Sequence, residues 1–170
     1  MARTGPELER GHETRSGARS PGSRALVVLS VLFVMACSSG PPPPARLDTK
    51  NEACRFCRMA VSNQRFAAQL VAPSEEPKFF DDIGCLRNFL RQQPSLSPGT
   101  VAYVADHWTR DWVPAAQAVF TKAPEVATPM ASGLIAHRDL ASRDQDPATR
   151  GGTPVAVIDI LGVLAASPGR

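Results

Sequence analysis

The 170-residue chain lacks an apolar run long enough to cross a bilayer: the segment Ala25 to Ala36 has 12 residues, where a spanning helix needs about 20. It also lacks a strong charge of either sign. The formal balance is +3, with no polybasic patch, so nothing points to nucleic acid or to an acidic partner. Cysteine is scarce, with four in all, and no second close pair accompanies Cys54 and Cys57. What is present is concentrated in two places, the short apolar run near the start and the sulfur-rich stretch Cys54-Arg55-Phe56-Cys57-Arg58-Met59.

A 12-residue apolar run behind a charged segment fits the h-region of a signal peptide. The preceding n-region is long and carries Arg3, Arg10, Arg15, Arg19 and Arg24 against Glu7, Glu9 and Glu13. Val34-Met35-Ala36-Cys37 resembles a bacterial lipobox, which implies cleavage after Ala36 and a diacylglyceryl group on the Cys37 sulfur. The plainer reading is a buried cysteine ending a core helix, which the flanking charged and Gly/Pro-rich segments disfavour. The expected organisation is a signal peptide over 1–36, a lipid-anchored Pro-rich linker over 37–47 and a folded domain over 48–168. In the linker, Pro41 to Pro44 should form a stiff polyproline spacer. With Cys37 lipidated, Cys54, Cys57 and Cys85 remain, an odd number in an oxidising compartment, so at least one is free or bound to metal.

Within the domain, Met59–Ser62 and Arg65–Ala72 read as strands with a turn at Asn63-Gln64. Asp82 is placed to cap a helix whose apolar residues Ile83, Leu86, Phe89 and Leu90 recur at helical intervals and which stops before Pro94. Thr100–Asp106 reads as a strand. Trp112–Phe120 suits a short helix or a strand, Gly133–His137 a strand, and the polar stretch to Arg150 a helix or loop. Thr153–Ile158 then reads as a strand and Asp159–Ala165 as a closing helix capped by Asp159. Interleaved strands and helices without regular βαβ units indicate an α+β fold of two related halves, over 48–108 and 109–168.

Thiolate and thioether donors together suit a soft ion such as Cu(I), while zinc and hard cations make little use of methionine. In a strand, Cys57 and Met59 would leave on one face, with Cys54 folding back over a turn. Met59 also reads as a core residue, the usual fate of methionine. The CxxC pair alternatively reads as a thiol-disulfide oxidoreductase motif, a plain disulfide, or half of a structural zinc site completed by Cys85 and His107 or His137. Thr128-Pro129-Met130 is a proline-fixed turn that either closes over the sulfur site or tucks Met130 into the core. In Phe80-Asp81-Asp82-Ile83-Gly84-Cys85-Leu86, both carboxylates sit where a helix dipole favours them.

Taken in order, Cys54-x-x-Cys57-x-Met59, Phe80-Asp81-Asp82-Ile83-Gly84-Cys85-Leu86, Tyr103-Val-Ala-Asp106 with Trp112-Val113, and Thr128-Pro129-Met130 resemble the NosL family over roughly residues 50 to 165. The resemblance implies two similar ββαβ-type halves packed together. It also implies a lipoprotein copper chaperone, not an enzyme, held at the periplasmic face of a bacterial membrane. Such a protein binds Cu(I) for the copper-sulfide centre of nitrous-oxide reductase, its partner directly or through copper-transfer machinery. Carried over by position, Cys57, Met59 and Met130 match the copper-ligand candidates, with Cys54 as a possible fourth. Arg58 stands where the family often has glycine, and His137 where an aromatic is common. A thiol-disulfide oxidoreductase and a general periplasmic copper- or zinc-binding lipoprotein are the alternatives.

Overall fold

A computed structural model describes residues 40–166. The expected signal peptide over 1–36 and the lipidation candidate Cys37 lie outside the described residues.

Seven strands form two antiparallel sheets. The first, in spatial order β2-β1-β3-β4, contains β1 (Ala68–Val71), β2 (Lys78–Phe80), β3 (Val101–Ala105) and β4 (Trp112–Pro114). The second, in order β6-β5-β7, contains β5 (Val119–Lys122), β6 (Leu134–His137) and β7 (Thr153–Val155). Between β2 and β3 runs α1 (Ile83–Gln92), between β6 and β7 runs α2 (Leu140–Gln145), and α3 (Val157–Leu161) follows β7. The fold is therefore α+β. Each half has the succession ββαβ, with its first strand central, its hairpin partner on one side and its post-helix strand on the other. Each is led in by a 3-10 turn, Gln64–Phe66 or Ala115–Gln117, and each has a helix capped by an aspartate, Asp82 or Asp139. β4 pairs with β3 and so belongs to the first sheet, although it lies beyond residue 108.

Strand alternation decides what each sheet buries. Ala68, Phe80, Val104 and Val113 are cross-strand neighbours and share a face. They join Ile83 and Leu86 of α1, Phe120, Leu134 and Ala136 of the second sheet, and Ile160 and Leu161 of α3 in one core. Each large apolar side chain fully buried there contributes about 1.5–3 kcal/mol. The two halves thus share their hydrophobic interior.

The other face of the first sheet carries Gln69, Phe79 and Tyr103 in register. Gln69 is fully buried, and its amide is satisfied by one backbone unit: Ala45 N–H donates to its Oε1 at 2.8 Å and its Nε2 donates to Ala45 O at 3.1 Å. Tyr103 OH donates to Pro42 O at 2.6 Å, and Ala45 and Leu47 pack against the core. The Pro-rich segment from Pro42 onward is thereby strapped to the sheet, so ordered contacts begin before Asp48. A polyproline stretch has no internal hydrogen bonds, which leaves its carbonyls free for such side chains.

Three local expectations change. Residues 59–62 form no strand. Glu52 and Val61 are joined by one backbone bond, Ala53 bridges Ala60, and Cys54 N–H donates to Met59 O at 2.7 Å, which closes a tight loop. Trp112–Phe120 splits at Pro114 into β4, the 3-10 turn and the start of β5. The closing helix starts at Val157 rather than behind Asp159; Asp159 sits in its first turn, and Ile160 and Leu161 are buried.

Gln69→Ala should lower unfolding stability by roughly 1–3 kcal/mol, since it strips both partners from Ala45 and leaves a gap under the strap. Urea unfolding checks this, and an unchanged midpoint would show that the strap does not stabilise the domain.

Candidate metal centre

The loop that Cys54 and Met59 close places four residues in the turn between them. Arg58 adopts φ +69°, the left-handed conformation that glycine takes freely and that costs other residues about 1–2 kcal/mol. This explains why glycine suits the position. Arg55 N–H donates to Phe79 O at 2.8 Å and pins the loop to the edge of β2, one residue from the strand end. The chain leaves β2 through Asp81 and Asp82 and enters α1, with Cys85 in the first turn.

This route brings one atom each from Cys54, Cys57, Asp81 and Cys85 within 4.8 Å of one another. Cys54, Asp81 and Cys85 are buried and Cys57 is half-buried. Cys57 Sγ lies 3.3 Å from both Asp81 oxygens, so the thiol donates to the carboxylate. Burial pushes the Cys57 thiol up from 9.0 to about 11; the Met59 N–H opposes this, while Cys54 and Asp81 add to it. Burial, with Asp81 and the other two thiols, pushes Cys85 up strongly as well. The metal-free cluster therefore keeps protons on these two sulfurs at neutral pH, and a metal ion must displace them to bind thiolate.

Asp82 fixes the second half to the same place. Its Oδ1 caps α1 by accepting Gly84 N–H at 2.6 Å. Its Oδ2 accepts Thr128 Oγ1 at 2.7 Å and Met130 N–H at 3.0 Å. Thr128 Oγ1 accepts Gly133 N–H in turn, and Ala131 takes φ +53° to complete the turn. The approach is close: a Cβ on Gly84 would lie 2.7 Å from Ser132 Cβ, which only glycine avoids. The Thr128-Pro129-Met130 turn thus docks on the first turn of α1. Met130 is 43% exposed and Met59 56%, so both thioethers are presented to solvent rather than held in the core.

Of the candidate ligands, Cys54 and Cys57 converge. Met59 and Met130 are exposed, Met59 two residues along the chain from Cys57 and Met130 with its N–H on Asp82, the residue after Asp81. The expectation that Cys57 and Met59 share one strand face gives way to a turn, because the Cys54–Met59 closure curls the segment. Asp81 is the member that the sequence did not single out as a ligand, and Cys85 was named only for the zinc alternative. Their signal was Phe-Asp-Asp-x-Gly-Cys running into a capped helix, which brings residues 81 and 85 onto one turn. His107 and His137 do not complete this cluster; both contact Asp146 instead.

The sequence profile of the NosL family matches residues 44–161, and the chain belongs to that family. No curated protein and no solved structure matches it significantly.

A thiol raised to about 11 predicts slow alkylation at neutral pH that accelerates close to tenfold per pH unit toward that value. Mass-resolved iodoacetamide labelling of the reduced, metal-free protein measures it; a plateau near pH 7 would contradict it. The linked stability has a definite sign. The folded state holds the Cys57 proton longer than the unfolded chain, so this contribution is complete below pH 9.0 and is lost as pH rises toward about 11.

Proposed function

We propose that the protein carries Cu(I) outside the cytoplasm and hands it to the machinery that assembles the copper-sulfide centre of nitrous-oxide reductase. The observation that carries this reading is the gathering of three thiols at the start of α1, with exposed thioethers on both flanking segments. Family membership supports the same reading and this choice of client.

Copper is cargo here, and the residues divide the work of holding and releasing it. Neutral, exposed thioethers of Met59 and Met130 are suited to first capture, because a soft donor without charge binds Cu(I) weakly enough to let it move. Cys57, the half-buried thiol, takes the ion next, giving its proton to Asp81 or to water. Cys54 and Cys85 lie behind it and hold the ion away from solvent. Release reverses the order when an acceptor's thioether or imidazole replaces the outer donors, so the ion never leaves as a free cation. No bond in an organic substrate needs to be made or broken.

The oxidoreductase reading requires a thiolate stabilised at a helix start. Here the CxxC pair lies in a turn ahead of β1, and Cys57 is shifted toward the thiol. Asp81 gives the zinc reading some support, since three thiolates and a carboxylate make a tetrahedral zinc set. A diacylglyceryl group on Cys37 would hold the carrier at the membrane, and the strapped segment from Pro42 would then keep the domain close to it.

In a denitrifying host at limiting copper, a strain lacking this protein should make reductase protein without its copper-sulfide centre and accumulate nitrous oxide. Wild type should restore activity and Cys57→Ser should not. Full reductase activity in the deletion strain would point to another client, and zinc rather than copper in the purified protein would point to the zinc reading. Cys37→Ala should lose fatty-acid label in the same strains, and label that persists would remove the anchor.

A further inference from the structure

The second junction between the halves is built from buried polar groups that the copper cluster does not use. His107 follows β3, and its N–H donates to Ala136 O of β6 at 2.8 Å. His137 ends β6, and Asp146 lies between α2 and the 3-10 turn Pro147–Thr149. All three residues are buried, with exposures of 7%, 0% and 3%. Both imidazoles aim at one carboxylate oxygen: His107 Nδ1 is 2.5 Å and His137 Nε2 is 3.0 Å from Asp146 Oδ2. The other oxygen accepts Ala148 N–H at 2.9 Å, which fixes the carboxylate's orientation.

On the far side of its ring from Asp146, His137 Nδ1 is buried with no hydrogen-bond partner among the described residues. A carboxylate oxygen and two imidazole nitrogens, all within 4.8 Å, have the count and spacing of a three-ligand site. Bonds of about 2.0–2.1 Å to a tetrahedral ion set its donors roughly 3.3 Å apart, so a bound ion would draw both nitrogens back from Asp146 Oδ2. The donors are borderline nitrogen and hard oxygen, with no sulfur, which favours a divalent ion over Cu(I).

We propose that His107, His137 and Asp146 form a second metal site, separate from the thiol cluster, that takes a divalent ion of the zinc class and clamps the two halves. One ligand comes from the first half and two from the second, so the bound ion ties β3 to β6 and α2. The site is structural in consequence, and its donor chemistry keeps it from competing for the Cu(I) cargo.

Cobalt(II) tests this because its spectrum reports its donors. The reduced full chain, first given one equivalent of Cu(I) to fill the sulfur site, is titrated with Co(II) and also refolded in its presence. The expected result is one further equivalent with visible d–d bands and no thiolate charge-transfer band. Zn(II) should displace it and raise the thermal midpoint. Asp146→Asn keeps an acceptor for both imidazoles but removes the charge, and should weaken cobalt binding roughly 10-fold or more while Cu(I) uptake is unchanged. His137→Gln should do the same. The proposal is overturned if neither folded nor refolded protein takes Co(II), if the bound ion shows thiolate charge transfer, or if Asp146→Asn binds as wild type does.

Discussion

The candidate site depends on one buried carboxylate. Asp82 is fully enclosed, and its two oxygens serve both halves: one caps α1, the other receives the hydroxyl of Thr128 and the N–H of Met130. Burying a carboxylate is tolerable only when its lone pairs are occupied, and hydrogen bonds to a charged group are worth about 1.5–3 kcal/mol each. That requirement holds the Thr128–Ser132 turn, with Met130, against the start of α1. Asp106 has a matching role at the other junction. Burial would raise its carboxyl, but N–H groups of Arg138, Thr109 and Trp108 and the Ser142 hydroxyl outweigh this and keep it low. The two ββαβ halves are thus joined by a shared core and by aspartates of the first half satisfied from the second.

This frame gives the sulfur cluster a graded depth. Cys54 and Cys85 lie in the core boundary, Cys57 is half-buried, and the two methionines are outside. A metal carrier needs firm binding together with a path out, and a row of donors from charged and buried to neutral and exposed supplies both. Protonated thiols add a requirement, since every ion bound as a thiolate complex releases protons.

Much of this was legible in the sequence. Asp82 as the cap of α1 followed from a capping residue ahead of apolar positions at helical spacing, and Gln93 ends that helix before Pro94. The α+β class followed from the order of apolar runs and the ββαβ halves from the family resemblance, while β2 at Lys78–Phe80 was not read as a strand. Cys54 and Cys57 were visible as a pair and Cys85 only as their partner in the zinc alternative, because 27 residues and two strands separate it from Cys57. Periodicity at Met59–Ser62 was too weak to distinguish a strand from a loop, and closure by the Cys54–Met59 backbone bond decided it. The strap over β1 was hidden for another reason. A proline run signals extension, and only the tertiary placement of Gln69 and Tyr103 shows which surface it lies on.

X-ray absorption at the copper edge of the Cu(I)-loaded protein tests the central claim most directly. The account predicts a first shell of two or three sulfur atoms that loses one in Cys57→Ser and one in Cys85→Ser. A shell made only of nitrogen and oxygen, or one that neither substitution alters, would contradict it.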